Sequence, residues 1–316
     1  MINDANDYLV SHGAEALAEF VRAAKLVRVD GLLRMSEVTD PPVIEAWLPG
    51  FPHWNGRVKL ARSMLSVVTG QPGHGKTTLF AQIWYNILRT YNLAGVFGSF
   101  ETRPKPHYQR MMRQVMFGTA EWKLTPEQIA KADTWIQDQT LWLVRPDRQP
   151  DLGWVLDAAE AAVVRHGAAV LQIDPWNRLI PDRGKFERET DFVSRALDRC
   201  LDFAKGMNVH VQIIAHPSKG EFAGRKHHPS LEDISGSKHW ENKADQGFVV
   251  WRPSLFNGTE RSTEAELYHL KARYSELGYL CRLKMKYDHN SGIFVSSDET
   301  EPKDDTARKM PGESHD

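Results

Sequence analysis

"TGQPGHGKTT", residues 69–78, is the stretch that decides the fold class. It fits the phosphate-binding pattern G-x-x-x-x-G-K-[ST]. The residues concerned are Gly70, Gly73, Gly75, Lys76 and Thr77, with Thr78 following them. In such a loop, backbone N–H groups surround phosphate oxygens, the lysine contacts the β- and γ-phosphates, and the hydroxyl holds Mg²⁺. Since a glycine turn without a ligand has no need of the Lys-Thr pair, we predict a site for Mg²⁺ and ATP, or another NTP or dNTP.

The context of the loop also fits, because apolar runs alternate with helical patterns along the chain. "MLSVVTG" precedes the loop as a strand, and "TTLFAQIWYNILRTY" follows it as an amphipathic helix. Further strand patterns are "AGVFGSFE", "LWLV", "AAVLQID", "VHVQIIAH", "QGFVVW", "ELYHLKARY" and "CRLKMKYDHNSGIFV", the last with a turn at residues 288–292. Val- and Ile-rich strands alternating with helices predict an α/β fold with a mainly parallel sheet covered by helices on both faces.

Apolar spacing and breaker residues divide the chain. Leu17, Phe20, Val21 and Ala24 lie at helical spacing and form one apolar face, which needs a covering partner. Prolines and glycines crowd residues 27–63, which predicts an irregular connector. The last residues are strongly acidic and almost free of apolar side chains, which predicts disorder. The predicted division is a linker helix in 1–30, a connector in 31–62, an ATPase domain in 63–297 and an acidic tail in 298–316.

Composition and charge narrow the class of protein. The 316 residues carry a net charge of −1, so contact with nucleic acid has to come from a local basic surface. Two cysteines, Cys200 and Cys281, are too few for a disulfide framework or a Cys-rich metal site. No apolar run approaches the roughly 18 residues of a membrane span, and the start of the chain lacks a signal pattern. We expect a cytoplasmic protein that does not associate with membranes.

Two carboxylates follow predicted strands near the phosphate-binding loop. Asp174 ends "AAVLQID", and a carboxylate at the end of a neighbouring strand is where a P-loop enzyme holds Mg²⁺. An aspartate that only caps a turn ahead of Pro175 is the alternative. Glu101 follows "AGVFGSF", in position to orient and deprotonate an attacking water. An ordinary surface glutamate is the alternative there, and the residues alone leave both alternatives open.

A long basic loop follows the strand predicted to end at His216. Its basic residues are Lys219, Arg225, Lys226 and Lys238. Loops of this length are usually functional or disordered, and a basic loop beside a nucleotide site could bind the phosphates of single-stranded nucleic acid. A solvated lid without a ligand is the alternative. His227, His228 and His239 have no Cys or second carboxylate cluster beside them, so we expect no metal site in this loop.

Lys271 and Arg273 in "LKARYSELG" lie two positions apart and therefore on the same side of a strand. If that strand lies at the edge of a subunit, both side chains could contact nucleotide. Arg273 could then reach the γ-phosphate of a neighbouring subunit as an arginine finger. An edge-strand arginine without such a role is the alternative.

Two stretches carry a family resemblance, "ERETDFVSRALDRCLDFAKGMNVHVQIIAHPSK" and "DISGSKHWENKADQGFVVWR". With the phosphate-binding loop, they closely resemble the RecA-type ATPase domain of hexameric replicative DNA helicases. The similarity is greatest to the helicase half of bacteriophage and mitochondrial primase-helicases, within the DnaB-like superfamily. It implies a RecA-like core, NTP hydrolysis at subunit interfaces, movement along single-stranded DNA and unwinding of duplex DNA. It also implies the cytoplasm, of the cell or of a phage-infected host.

The resemblance implies roles for individual residues. Lys76 and Thr77 match the Walker A pair, Asp174 matches the Walker B carboxylate, and Glu101 matches the catalytic base. His216, in "AHP", looks like the polar sensor that links the γ-phosphate to a DNA-binding loop.

Assembly and partners also follow from the resemblance. The loop from Lys219 onward matches one that faces a central channel and binds single-stranded DNA, and Arg273 matches the finger supplied to the adjacent subunit. This placement implies a ring, usually of six copies. The start of the chain looks like the end of a primase region and the linker helix that packs on the next subunit. With no primase domain ahead of it, primer synthesis is not expected. Forked DNA, a primase, a polymerase and a loader are the expected partners.

Two other functions fit parts of the sequence. A RecA-like assembly ATPase would bind single-stranded DNA and use nucleotide only as a switch, without unwinding, and it would not need an efficient base at Glu101. A P-loop kinase for a small metabolite would need a phosphoacceptor pocket, which no stretch resembles. The helicase interpretation accounts for more of the chain.

Overall fold

The computed structural model describes residues 4–23, 32–39, 44–145, 148–218, 228–235, 238–257 and 260–297. The chain divides into two compact units, Met1–Val43 and Ile44–Asp316. The predicted acidic tail, residues 298–316, lies outside the described residues. None of the helices in the described part of the chain is long and apolar enough to cross a membrane.

In the first unit, helix α1 spans Ala5–Ala23. It lies within the predicted range 1–30 and begins well ahead of Leu17, the first residue of the predicted apolar face. Gly13, with φ 81° and ψ 169°, interrupts the helical backbone inside α1, because glycine adopts such angles at little cost. None of the residues of α1 is buried.

In the second unit, strands and helices alternate along the chain. The strands are β1 Ala46–Trp47, β2 Leu60–Ala61, β3 Leu65–Thr69, β4 Ala94–Ser99, β5 Thr140–Trp142, β6 Ala168–Asp174, β7 His210–Ile214, β8 Gln246–Trp251, β9 Phe256–Asn257, β10 Glu260–Arg261, β11 Glu264–Ala272, β12 Cys281–Asp288 and β13 Ile293–Ser296. The helices are α2 Lys76–Tyr91, α3 Gln109–Phe117, α4 Pro126–Gln139, α5 Leu152–His166, α6 Glu189–Gly206 and α7 His239–Lys243. Each apolar run that predicted a strand overlaps at least one of these strands.

Nine of the described strands form one sheet in the order β13-β12-β11-β8-β3-β7-β6-β4-β5. From β8 to β5 all neighbours pair in parallel. The strands β11, β12 and β13 extend the sheet beyond β8 in antiparallel pairing. The predicted α/β fold with a mainly parallel sheet is therefore confirmed. Strand β3 lies inside the sheet between β7 and β8, and its carboxyl end leads into the phosphate-binding loop.

Helices cover both faces of this sheet, as predicted. On one face, α2, α3 and α4 bury an apolar layer that includes Phe80, Trp84 and Phe97. The Nε1–H of Trp84 donates to Oε1 of Gln212 at 2.9 Å, so the buried indole keeps a hydrogen-bond partner. On the other face, α5, α6 and α7 bury a second layer. The two layers hold the strand ends of the parallel sheet in fixed register.

Residues 44–62 correct the predicted domain boundary. We expected the compact domain to begin at residue 63, but the second unit begins at Ile44. Trp47, Phe51 and Trp54 are buried in the core beside α2. Aromatic side chains bury large apolar areas, so their burial holds this segment on the domain although it is rich in proline and glycine. Regular structure in this segment is limited to a short β1–β2 pair and a turn at Pro52–Trp54.

Candidate active site

The phosphate-binding loop connects β3 to α2 and packs against two other strands. A Cβ atom on Gly70 would lie 2.2 Å from the carbonyl oxygen of Val250 in β8. Gly75 has φ +89°, and a Cβ atom there would lie 2.7 Å from Cζ of Phe294 in β13. Both positions exclude any larger residue, so the loop depends on its glycines for packing as well as for its backbone angles.

Lys76 folds back onto the loop. Its Nζ donates to the carbonyl oxygens of Gly70 at 2.7 Å and Gln71 at 3.0 Å. Burial lowers the pKa of Lys76 to about 8, against the charges of Asp174 and Glu101, which raise it. The ammonium is thus held by carbonyls that a phosphate could replace, in the position expected of a Walker A lysine.

Asp174 ends β6 and is buried beside Thr77. Burial raises the pKa of Asp174 to about 6, while a hydrogen bond from Thr77 and the charge of Lys76 act in the opposite direction. A hydroxyl and a desolvated carboxylate are hard oxygen ligands, which is the chemistry that Mg²⁺ prefers. No group of three His, Cys, Asp or Glu side chains that could hold a metal occurs in the described ranges. The fit to Mg²⁺ therefore requires phosphate oxygens as further ligands.

Glu101 has a different partner at each carboxylate oxygen. Its Oε2 lies 3.4 Å from Nε2 of His216, and its Oε1 lies 3.9 Å from Nη2 of Arg178. Burial and the charge of Lys76 lower the pKa of His216, whereas Glu101 raises it. The structure therefore brings Lys76, Asp174, Glu101 and His216 together, as the sequence reasoning expected of one site.

The turn after Asp174 adds residues that the sequence reasoning missed. Trp176 is buried, and its ring lies 5.3 Å from that of Trp240 in α7. This packing fixes the turn Trp176–Arg178. Oδ1 of Asn177 accepts a hydrogen bond from the backbone N–H of His216 at 2.9 Å. Asn177 and Arg178 directly follow "DPW" at the end of the strand, and this position close to Asp174 could have identified them as site residues.

His74, also missed, fastens the loop to β8. Its Nδ1 accepts a hydrogen bond from the backbone N–H of Arg252 at 3.0 Å, and its ring lies 5.0 Å from that of Trp251. Burial, and then Lys76 and Arg252, lower the pKa of His74 to about 4. A neutral ring adds no positive charge beside Lys76. The phosphate-binding pattern does not indicate that His74 contacts β8, since His74 occupies one of the variable positions of the pattern.

Comparison with known proteins now decides the family. The family described as "DnaB-like helicase C terminal domain" matches residues 55–295. The chain belongs to this family. A curated relative from Arabidopsis thaliana, "Twinkle homolog protein, chloroplastic/mitochondrial", is 27% identical over 319 residues, which cover 93% of this chain and 44% of that protein. The chain thus spans less than half the length of this relative.

Two solved structures share the fold of this DnaB-like helicase domain. One, described as an ATPase domain, has a TM-score of 0.65 at 16% identity and covers 94% of this chain and 99% of its own. "The Structure Of A DnaB-Like Replicative Helicase And Its Interactions With Primase" has a TM-score of 0.64 at 16% identity and covers 90% of this chain and 68% of its own. These similarities confirm the RecA-like fold of the expected helicase class.

Lys271 and Arg273 of the DnaB-like helicase domain lie at the opposite end of β3 from the loop. Nζ of Lys271 donates to the carbonyl oxygens of Glu241 and Asn242, and Nη2 of Arg273 donates to Asn242 at 3.1 Å. Both cations thus contact the carboxyl end of α7. The five residues of β3 separate this point from the loop by about 16 Å, beyond the reach of an arginine side chain. The structure does not bring Arg273 to the phosphate-binding loop of its own chain.

Of the remaining predicted site residues, Thr78 and Lys238 lie within the described ranges and three others do not. Oγ1 of Thr78 donates to Sδ of Met111 at 3.6 Å, in the α2–α3 contact. Lys238 is exposed, with Nζ 3.8 Å from Oε1 of Glu232. The predicted DNA-binding residues outside the described ranges are Lys219, Arg225 and Lys226. Their contribution to DNA binding stays a prediction.

Proposed function

We propose that this DnaB-like helicase domain is the motor of a replicative DNA helicase. It hydrolyses ATP, or another NTP or dNTP, at interfaces between copies of the chain, translocates on single-stranded DNA and unwinds duplex DNA. The observation that carries the proposal is the division of catalytic groups along β3. Lys76, Thr77, Asp174 and Glu101 surround the loop at its carboxyl end, whereas Arg273 lies at the amino end.

Hydrolysis follows from the groups around the loop. Lys76 exchanges the carbonyls of Gly70 and Gln71 for phosphate oxygens and keeps its charge there. Bound with the nucleotide, Mg²⁺ would be held by Thr77 and Asp174 and would neutralise charge on the phosphates. Glu101 orients a water and accepts its proton during attack on the γ-phosphorus.

His216 connects this chemistry to DNA. Its Nε2 contacts Glu101, and its backbone begins the segment that leads to residues 219–227. A change at the γ-phosphate that shifts Glu101 therefore shifts His216 and the chain that follows it. This is the sensor role that the resemblance implies.

Assembly of several copies completes the site. Arg273 is about 16 Å from its own loop, so it acts, in this proposal, on nucleotide bound to the next copy. Lys271 lies beside it and assists at the same phosphates. A closed ring, with six copies as its expected size, supplies every loop with a neighbour's arginine.

Single-stranded DNA is the proposed ligand of the segment before α6 and of the basic loop after His216. Phe186 is 92% exposed, with Nζ of Lys185 5.8 Å from its ring centre. Arg183 and Arg188 are exposed on either side of it. Exposed aromatic rings among cations are typical of surfaces on which bases stack while phosphates pair. Lys219, Arg225, Lys226 and Lys238 are the other residues for which we propose a contact with DNA.

The proposed DNA contact can be tested with a matched pair of variants. Phe186→Ala should weaken binding of a fluorescent oligothymidine about tenfold, since a stacked base contributes about 1–3 kcal/mol. Trp122→Ala is the control, because Trp122 is also exposed beside a lysine, Lys123, but lies in the α3–α4 connection. Equal losses in both variants would contradict a specific contact at Phe186.

Partners and compartment complete the proposal. A primase, a polymerase and a loader are the proposed partners on forked DNA. The cytoplasm, of the cell or of an infected host, is the proposed compartment. The two cysteines agree with it, since Cys200 and Cys281 are both unpaired.

The deciding experiment measures ATP hydrolysis with and without single-stranded DNA, beside strand displacement on a forked duplex. Lys76→Ala is the control and should abolish both. DNA-stimulated turnover with displacement supports the motor. Stimulated turnover without displacement, by a chain that forms rings, would instead favour a DNA-binding assembly ATPase.

A further inference from the structure

Asp245 lies between α7 and β8 and is 1% exposed. Its Oδ2 accepts a hydrogen bond from the backbone N–H of Leu65 at 2.9 Å, and its own N–H donates to the carbonyl oxygen of Leu65 at 2.8 Å. Leu65 is the first residue of β3, the strand that ends at the phosphate-binding loop. One buried residue is thus fixed to the start of the nucleotide-binding strand.

The same residue also holds Arg273. Nη1 of Arg273 lies 2.9 Å from Oδ1 of Asp245, and the backbone N–H of Arg273 donates to the carbonyl oxygen of Asp245 at 2.8 Å. Nη2 of Arg273 contacts the carbonyl oxygen of Asn242 at 3.1 Å. The guanidinium is therefore oriented by a carboxylate on one side and by the end of α7 on the other.

The charges around Asp245 explain why a carboxylate is needed there. Lys205, Lys271 and Arg273 all lower the pKa of Asp245, against burial, which raises it and is the largest cause. Lys271 and Arg273 also repel each other, since Arg273 lowers the pKa of Lys271. A buried anion compensates for two neighbouring cations and keeps them at one place.

We propose that Asp245 is a positioning residue for Arg273, which it holds at the edge of one copy for use at the nucleotide site of the next. This inference rests on the proposed function of Arg273 as a group that acts between copies. It adds a connection within the copy, because Asp245 joins the arginine to the amino end of β3. The other end of that strand carries the copy's own nucleotide loop.

The test mixes subunits with different defects. Asp245→Asn keeps an oxygen for Leu65 but removes the charge that holds Arg273. Alone, this variant should hydrolyse ATP about 100-fold more slowly, as expected for a misplaced catalytic group, with an unchanged affinity for ATP. Mixing it with Lys76→Ala subunits should restore hydrolysis, because a Lys76→Ala subunit supplies an intact arginine to the intact loop of its neighbour.

Two controls accompany the mixing experiment. Arg273→Ala mixed with Lys76→Ala should also restore hydrolysis. Asp198→Asn, which removes the carboxylate 2.5 Å from Nζ of Lys243 in α7, should keep the wild-type rate within about twofold. It matches the charge change beside α7 and leaves both Asp245 and the main-chain carbonyls that hold Arg273 in place.

The outcomes separate this inference from the proposed function. If the Arg273→Ala mixture fails to recover activity, action between copies is wrong, and the role of Asp245 is lost with it. If that mixture recovers and the Asp245→Asn mixture does not, Asp245 serves its own nucleotide site and only the present inference is overturned. Wild-type hydrolysis by Asp245→Asn alone would also overturn it.

A stability measurement keeps the inference testable if Asp245→Asn folds poorly. Thermal unfolding of the wild type, Asp245→Asn, Arg273→Gln and the double variant forms a complete cycle. If the two side chains act through each other, the double variant loses less in Tm than the sum of the single losses. Additive losses would show that they are independent and would refute the positioning role.

Discussion

At the carboxyl end of β3 the charged side chains surround the phosphate-binding loop, whereas at its amino end they are held by the end of α7 and by one buried carboxylate. Lys76, Asp174, Glu101 and His216 form the first group, and the charges within it act in both directions on the pKa values of Lys76, Asp174 and His216. Arg273 belongs to the second group and has no described contact with the first. In the proposed function, one end binds the chain's own nucleotide, while the other holds cations that serve a different copy.

Among the variants that test this comparison of the two ends of β3, Glu101→Gln is expected to have the largest effect on ATP hydrolysis. Removing the base should lower the rate of ATP hydrolysis by about 100- to 10,000-fold, the usual contribution of general base catalysis. Binding of a fluorescent ATP analogue should change little, because Lys76, Thr77 and Asp174 remain. Single-turnover hydrolysis and equilibrium binding measure the two quantities. A rate near that of the wild type would show that the carboxyl end of β3 lacks the base assigned to it.

The pH dependence of kcat/KM for ATP should be bell-shaped. Asp174, whose pKa is raised to about 6, carries its negative charge only above that pH. Lys76, whose pKa is lowered to about 8, carries its positive charge only below that pH. The rate should therefore fall about tenfold per pH unit below 6 and above 8, as P-loop chemistry needs both charges.

The alkaline limb of that profile has its own control. Lys76→Arg should abolish the fall above pH 8, because a guanidinium keeps its proton throughout this range. Initial rates at low ATP from pH 5 to pH 10 would show it. An alkaline limb that persists in Lys76→Arg would have to come from another group, and the pairing of charges at this end of β3 would need revision.

A smaller effect is expected from His74→Leu. Leucine cannot accept the N–H of Arg252, and a lost hydrogen bond of this kind costs about 1–3 kcal/mol. The loop should lose its fixed position, which raises KM for ATP about tenfold and leaves kcat nearly unchanged. His74→Asn retains an acceptor oxygen and should remain close to the wild type. If both variants behave alike, the hydrogen bond does not position the loop.

The smallest effect on activity is expected from Gln82→Ala. The side chain of Gln82 in α2 donates to the carbonyl oxygen of Phe294 at 2.8 Å and accepts its N–H at 2.9 Å. Its loss should lower the free energy of unfolding by about 1–3 kcal/mol while kcat changes less than about twofold. Urea unfolding measures this, with Gln137→Ala in α4 as the control because Gln137 is exposed. Equal losses in both variants would exclude a special role for the β13 contact.

The parallel sheet and the nucleotide loop could be predicted because their signals are local. The strand patterns and "GQPGHGKT" each lie within a few consecutive residues. Asp174 and Glu101 were candidates because strand ends of a parallel sheet meet at one edge. Glu101 contacts His216 and lies close enough to Lys76 for its charge to raise the pKa of that lysine, which agrees with the expectation. The catalytic roles of these residues remain predictions.

Other features depend on contacts between distant parts of the chain. Trp47 and Trp54 are buried against residues that follow them by dozens of positions, so breaker residues alone misplaced the start of the compact unit. The anchoring of Arg273 requires that β3, β8 and β11 lie next to one another, which strand patterns do not specify. His74 occupies a variable position of the loop pattern, and its role depends on the end of β8.

The contact between His74 and Trp251 gives the molecule an optical reporter of its own loop. The indole is 6% exposed and its ring lies 5.0 Å from the imidazole, so a movement of the loop on nucleotide binding changes the surroundings of this fluorophore. The chain has ten tryptophans, and the signal of Trp251 is obtained as the difference between the emission of the wild type and that of Trp251→Phe. Loop closure can thereby be timed in solution without an attached dye.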